Sequence, residues 1–495
     1  MAVTVLGAAL EGVEARVVEV EVDLLRRLPA VSIVGLPASA VRESSERVRS
    51  AIESCGVDFP RKRVVINLAP ADLRKEGTAL DLPTALGILA ADEVVPEARL
   101  EQVLAAGELS LGGELRPVRG ALSLALLARS LGRTLLVPSS CADVAAMVPG
   151  VEVVALGRLD DAVAWLKGEY EVPVVVAPSR RPAGGALDLR DVRGQPMARR
   201  ALEVCAAGAH HLFMVGPPGC GKSMLAKRLP SILPALDFEE ALEVTQVHSA
   251  AGLLHDGDWI AERPFRAPHH SVTVAAMVGD RTLRPGELSL AHQGVLFLDE
   301  APEFPRSVLE VLRQPLEEGK VHLSRAMGKV TYPAAVTLVL AANPCPCGMR
   351  GSRRCTCTDS QVARYLRKLS GPVLDRVDLH LGMEPVDPQL MVFGAAGEDS
   401  ATVRERVVES RARAQHRGQR VPNGQLPDAA VREMVRPAAD AAQALAELAV
   451  QQELSARATT RMLRVARTLA DLEGVEVVSA AHVFEASQWR QPPEL

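Results

Sequence analysis

Residues 216–223 read Gly-Pro-Pro-Gly-Cys-Gly-Lys-Ser, a full match to the phosphate-loop pattern G-x-x-x-x-G-K-S/T. No other stretch restricts the fold as strongly. The preceding residues 211–215 are strand-like and residues 224–229 helix-like, so the loop is expected at the exit of a strand in a parallel α/β sheet. There the backbone of Gly216, Pro217, Pro218, Gly219, Cys220 and Gly221 would wrap phosphates with inward-turned N–H groups, and the following helix would present its positive end to them. Lys222 would reach the β- and γ-phosphates, and the Ser223 hydroxyl would complete a Mg²⁺ shell. Downstream, the apolar run Val295–Leu298 leads directly into Asp299 and Glu300. An acid pair at a strand end supplies a carboxylate for magnesium (Asp299) and one to orient and polarise the attacking water (Glu300). The two segments together predict a site that binds ATP with Mg²⁺ and hydrolyses it.

A chain of 495 residues is too long for one core and calls for about three domains. Residues 1–168 alternate short β-rich runs with Ala/Leu-rich helical stretches, and 169–187 is an irregular Pro/Ala/Gly/Arg linker. Residues 188–395 alternate strand and helix around the nucleotide motifs and contain a cysteine loop at 345–357; residues 396–495 read as a helical domain. No apolar run is long enough for a bilayer span, and the first residues lack a basic n-region with a cleavage site, so a cytoplasmic protein without membrane association is expected. The net charge of −5 argues against wholesale polyanion binding and confines any nucleic-acid contact to local patches. With aromatics at 3%, base-stacking platforms are scarce.

Further candidates follow from what an oligomeric ATPase needs. The apolar run 338–342 ends at Asn343, and a strand there beside the Asp299 strand would let the amide help hold the water. Arg376 sits among acids and suits a finger that reaches the γ-phosphate of a neighbouring subunit, or an ordinary ion pair with Asp375 or Asp378. Arg457, Arg461 and Arg464 lie on one C-terminal helix, as a phosphate sensor or a solvated face. Asp191 to Gln195 suits a wall of the adenine pocket or a plain helix N-terminal turn.

This order of elements resembles the AAA+ ATPases. The segments Phe265-Arg-Ala-Pro-His-His-Ser271, Arg284-Pro-Gly-Glu-Leu-Ser-Leu-Ala-His292, Ala342-Asn-Pro-Cys-Pro-Cys-Gly348 and Val465-Ala-Arg-Thr-Leu-Ala-Asp-Leu-Glu-Gly474 are similar to the ComM/YifB proteins, the magnesium-chelatase-like branch of AAA+. The resemblance covers essentially the whole chain. It implies a parallel-sheet core with an α-helical lid and a homo-hexameric ring working on branched DNA. The implied activity is an ATP-driven branch-migration helicase in homologous recombination during natural transformation, with recombination proteins as partners. By the same resemblance Arg376 becomes the finger acting in trans and Arg457 the second sensor, with Arg461 as runner-up. It also implies a β-hairpin just before the Asn343 strand, matched by 320–332, whose Arg325 and Lys329 near the tip would grip DNA phosphates without reading bases; a surface hairpin with solvated charges is the alternative. Through the segments Glu76-Gly-Thr-Ala-Leu-Asp-Leu-Pro-Thr-Ala-Leu86 and Gly107-Glu-Leu-Ser-Leu-Gly-Gly-Glu-Leu-Arg-Pro-Val118, residues 1–168 resemble the α+β Lon-protease-type domain, but Ala79 and Leu122 stand where the proteolytic serine and lysine belong. Without nucleophile and base there is no proteolysis. A scaffold or DNA-contacting role is expected instead, with Arg42, Arg47, Arg49, Arg61, Lys62 and Arg63 as its cations or as a solvated face.

Eight cysteines in a chain read as cytosolic are not a disulfide framework. Cys345, Cys347, Cys355 and Cys357 form C-x-C, seven residues, C-x-C, and four thiolates so close could close around Zn²⁺. Reduced unligated thiols and an iron–sulfur cluster are the alternatives. Cys220, beside Lys222, is expected to be open to alkylation. His269, His270 and His292 lack a metalloenzyme's carboxylate spacing and read as structural or coupling residues. The basic stretch 404–420, six arginines against two glutamates, adds to the case for DNA. A competing reading is a chelatase-like ATPase that remodels a protein or metal-insertion partner.

Overall fold

The computed structural model describes residues 2–490, apart from 36–38, 72–77, 170–174, 176–186, 255–257, 326–327, 370, 388, 390–392 and 394. Most of the expected linker therefore lies outside the described residues, as does the Glu76-Gly77 start of the Lon-like motif. The chain forms two compact units, one of residues 1–181 with 241–260, the other of 182–240 with 261–495.

The first unit is built on a mixed seven-stranded sheet. Its strands are β1 (Val3–Glu11), β2 (Glu14–Leu25), β3 (Ala30–Val34), β4 (Arg63–Ala69), β5 (Val103–Ala105), β8 (Thr134–Pro138) and β9 (Val153–Leu156), in the order β3-β4-β2-β1-β5-β8-β9; β6 (Glu108–Leu109) and β7 (Leu115–Arg116) form a separate hairpin. β2 and β4 alternate buried with partly or fully exposed positions over much of their length, as sheets with one covered face do, and the helix Asp81–Ala91 is buried for nearly its whole length. Leu122 is 3% exposed in the apolar core. Of the proposed cations, Arg47 is paired with buried Asp81 at 3.0 Å, Lys62 with Asp92 at 2.9 Å, and Arg49 lies over the Phe59 ring. The Arg42 side chain lies outside the described residues. The segment 241–260 joins this unit, with Gln246 donating to Ser123 at 3.2 Å.

The second unit holds an all-parallel sheet of β10 (Leu212–Val215), β11 (Phe265–Arg266), β12 (Val295–Leu298), β15 (Thr337–Ala342) and β16 (Leu379–Gly382), in the order β11-β12-β15-β10-β16. β10, β12 and β15 are buried at every position. That is why they read as continuous apolar runs: helices cover both faces of a parallel sheet. β13 (Lys320–Arg325) and β14 (Gly328–Pro333) make a hairpin outside the sheet. The C-terminal region is helical, with Ser400–His416, Asp428–Val435, Ala439–Gln451, Ala456–Glu473 and Ala480–Gln488. Buried Asp378, just before β16, ties this region to the core: it pairs with Arg461 at 2.7 Å and His210 at 3.2 Å, and His210 also bonds Thr468 at 2.8 Å.

Candidate functional site

Three neighbouring strands end on the same side of the sheet, and each delivers one part of the site. β10 runs into the phosphate loop, with Val215 opposite Ala342 of β15. Gly219 and Gly221 take φ of +80° and +98°, the left-handed region, at which a side chain is strained. The helix that follows is short, Lys222–Ala226, rather than the continuous 224–229 expected; the chain restarts as Leu229–Ile232 around Pro230, which has no N–H to continue a helix. The Lys222 ammonium lies inside the loop, donating to the Gly216 carbonyl at 2.6 Å, the Pro217 carbonyl at 3.0 Å and Asn343 Oδ1 at 3.3 Å. Ser223 Oγ donates to Asp299 Oδ2 at 2.6 Å. This donor set fits Mg²⁺ with a polyphosphate: one hydroxyl and one carboxylate as hard oxygen ligands, and an ammonium at the mouth of a loop of backbone N–H groups.

Glu300 is exposed at the end of β12, its backbone at φ +51°, a conformation a non-glycine residue rarely holds. His270 Nδ1 approaches its carboxylate at 3.8 Å, and the His270 ring meets Phe304 edge-on. The sequence, with no metalloenzyme's carboxylate spacing around His270, gives it only a structural or coupling role. Its proximity to Glu300 depends on 265–271 crossing beside β12, which no spacing in the sequence reveals. Gln195, with φ +56°, donates to the Cys220 carbonyl at 3.3 Å and the Glu384 carbonyl at 2.7 Å, so the 191–195 turn buttresses the loop.

The arginines divide differently from expectation. Arg376 is 8% exposed and pairs with Glu317 at 2.5 Å, not with Asp375 or Asp378. Asp375 is exposed and Asp378 is already taken by Arg461 and His210. Arg461 also donates to the Arg376 carbonyl, and Arg464 is held by Asp428, whereas Arg457 is exposed in the first turn of its helix. Arg325 pairs in register with Gly328 and Lys329 with Ser324, both cations exposed; the two tip residues 326–327 lie outside the description. The arginine-rich stretch 404–420 is a correction. Arg406 pairs with Glu203 and Glu398, Arg411 donates to the Ala206 carbonyl, Arg413 to the Asp471 carbonyl, and Arg417 pairs with Asp471. Four of its six cations serve packing rather than a free basic face, because helix Ser400–His416 is wedged among carboxylates and carbonyl ends.

Cys220 is likewise corrected. It is 1% exposed beneath the loop, where an alkylating reagent cannot reach it without opening the loop. The sulfurs of Cys345, Cys347, Cys355 and Cys357 all lie within 4.8 Å of one another, and none of the eight cysteines is in a disulfide. No described helix is long and apolar enough to cross a membrane.

Three family models match the chain in succession: subunit ChlI of magnesium chelatase over residues 20–141, magnesium chelatase subunit ChlI over 188–391, and its C-terminal part over 397–490. YifB of Salmonella typhimurium is 43% identical over 481 residues, 97% of this chain and 95% of that one. The chain belongs to the ComM/YifB family. Competence protein ComM of Haemophilus influenzae is 41% identical over 495 residues, 98% of this chain and 97% of its own length. An uncharacterized protein of Mycobacterium tuberculosis is 44% identical over 493 residues, again 98% and 97%. The core is thus a magnesium-chelatase-like AAA+ domain, and the ComM/YifB relatives match this chain across both compact units rather than the sheet alone.

Proposed function

We propose that this chain is an ATP-driven DNA motor, a homo-hexameric branch-migration helicase acting in homologous recombination, as the competence protein among its relatives invites. The observation that carries the ATPase half is the meeting of Lys222, Ser223, Asp299 and Asn343 at three adjacent strand ends. In this reading the loop residues Gly216 to Gly221 bind phosphate through their backbone, Lys222 neutralises the β- and γ-phosphates, and Ser223 with Asp299 holds Mg²⁺. Glu300 polarises water, and Asn343 positions it. Arg376, released from Glu317, reaches the neighbouring subunit's nucleotide. Arg457 is the second sensor, since it is exposed while Arg461 and Arg464 are engaged. Nucleotide is assigned to 188–395, the closing lid to 396–495, and a scaffold or DNA contact to 1–168, all in the cytoplasm.

The DNA half rests on the hairpin: Arg325 and Lys329 are exposed on a two-stranded ribbon that belongs to no larger sheet. A ring would multiply the pair into a collar of cations that binds phosphates and ignores sequence. The chelatase-subunit models favour a second reading, a remodelling ATPase for a protein or metal-insertion partner. ATP hydrolysis measured with and without forked DNA across a salt series separates them. A motor shows stimulation that falls steeply with salt, its DNA affinity varying roughly as the −0.7 to −0.9 power of salt per DNA phosphate neutralised, and loses it in Arg325→Ala/Lys329→Ala. Hydrolysis that is flat with DNA at every salt concentration overturns the DNA reading and leaves the remodelling one.

A further inference from the structure

The chain leaves β15 at Ala342, passes Asn343, and enters a loop with no regular secondary structure until the helix Asp359–Leu366, capped by Thr358. Its backbone bonds are three local turns, Gly348 N to the Cys345 carbonyl, Ser352 N to Met349 and Cys355 N to Ser352. Such a segment has little apolar surface to bury and needs another source of order. Cys345 is fully buried and the other three thiols are partly covered. Cys345 Sγ lies 3.3 Å from Cys347 Sγ and 3.8 Å from Cys355 Sγ, and Cys347 Sγ lies 3.7 Å from Cys355 Sγ. A disulfide needs about 2.05 Å. Four thiolates at about 2.3 Å around one tetrahedral ion stand about 3.8 Å apart, close to these three separations, and the fourth sulfur, of Cys357, lies within 4.8 Å of the others. A set of four sulfurs with no carboxylate among them excludes magnesium and calcium and selects a soft or borderline tetrahedral cation.

The loop also touches the nucleotide site. Gly348 is buried at φ +77°, and a Cβ there would stand 2.7 Å from Cδ and Cγ of Pro218 and 3.9 Å from Asn343 Cγ. The turn that carries the first two cysteines and ends at Gly348 is therefore packed against Pro218 of the phosphate loop. On its other side Asn343, two residues before Cys345, accepts from Lys222.

We propose that Cys345, Cys347, Cys355 and Cys357 bind one zinc ion per chain, and that this ion, through Gly348 on Pro218 and through Asn343, sets the affinity of the phosphate loop for nucleotide. The coupling rests on the nucleotide-binding reading above; the ion site does not. Loss of the ion frees the turn at Gly348, and Pro218 and Asn343 lose their backing together. Oxidant or chelator would then lower ATP binding without touching the loop itself.

The test uses the purified full-length chain. Metal analysis is expected to find one zinc per chain, and replacement by Co²⁺ to give the intense visible bands of a tetrahedral tetrathiolate. No stoichiometric metal, or iron in place of zinc, overturns the ion assignment. Binding of a fluorescent ATP analogue is then followed in loaded, chelator-stripped and zinc-restored protein, with at least a tenfold weakening on stripping and recovery on restoration. Since Cys355→Ser can misfold, Gly348→Ala provides the second arm: it is expected to keep one zinc and still weaken the analogue about tenfold. An affinity that changes less than twofold both on stripping zinc from the wild-type chain and in zinc-loaded Gly348→Ala overturns the coupling. Zinc-loaded wild-type chain that binds no analogue at all overturns the ATPase reading instead.

Discussion

Replacing Asp378 by Asn keeps the side chain's size and removes its charge at the point where the parallel sheet meets the C-terminal helices. Asp378 is 2% exposed; it accepts from Arg461 at 2.7 Å and from the His211 N–H at 3.3 Å, and faces His210 at 3.2 Å. Removing one member of a buried charge pair costs about 3–5 kcal/mol, because the other charge is left uncompensated. The amide can still accept from Arg461, and the Arg376 carbonyl remains its second acceptor at 2.8 Å, so the lower figure, about 3 kcal/mol, applies. For a unit of this size, with an unfolding entropy of about 2.1 cal/mol/K per residue, that is a fall in melting midpoint of about 5 °C. The control is Asp375→Asn, three residues earlier and exposed, expected to stay within about 0.5 kcal/mol of wild type. Thermal unfolding of the two variants, followed at pH 7, is the assay. Burial pushes the Asp378 carboxyl up, but the His210 bond and Arg461 outweigh it and hold the group well below the usual carboxylate range. A depressed carboxylate contributes fully above its unfolded value of about 3.9 and loses the contribution only as the pH falls below that. The gap between wild type and Asp378→Asn should therefore be constant from pH 7 to about 5. A midpoint for Asp378→Asn that matches Asp375→Asn would refute the idea that this pair anchors the helical region.

Two further outcomes are expected. Lys222→Ala and Arg376→Ala proteins should each be inactive alone, by about 10³-fold or more for the finger, yet hydrolyse ATP when mixed and shown to co-assemble; a mixture no faster than either component removes the shared pocket. His380 has both ring nitrogens buried, and burial, with the nearby Arg490, lowers its pKa to about 4. The unfolded ring takes up its proton near 6.5, so stability is complete above that pH and declines as the pH falls toward 4, by on the order of 1–2 kcal/mol at pH 5; His380→Leu should flatten that decline in melts between pH 8 and 5.

The parts of the site that were legible in the sequence share one property: each is set by its own few residues. A glycine-rich loop before a lysine and a serine, and acids or an asparagine at the end of an apolar run, carry their placement with them, because a buried parallel strand has one direction and one end. Arg376 shows where that stops. Its partner Glu317 comes from a helix far away in the chain, and choosing among Glu317, Asp375 and Asp378 needs to know that Arg461 has already claimed the last. The same blindness made the run 404–420 look like a basic face, since the acceptors of Arg406, Arg411, Arg413 and Arg417 lie on other elements. Burial is equally invisible: Cys220 looked accessible because loops usually are. The cysteine spacing named the ligands of a possible ion, but not that Gly348 bears on Pro218.

The ordering of β12, β15 and β10 side by side has an evolutionary reading. The separation between lysine, acid pair and asparagine is set by the backbone pairing of three adjacent strands, so the side chains within those strands can change so long as they stay oily. What natural selection must guard is the handful of positions just past the strand ends. A lineage can rewrite most of its interior and still hand the same hydrolytic geometry to its descendants.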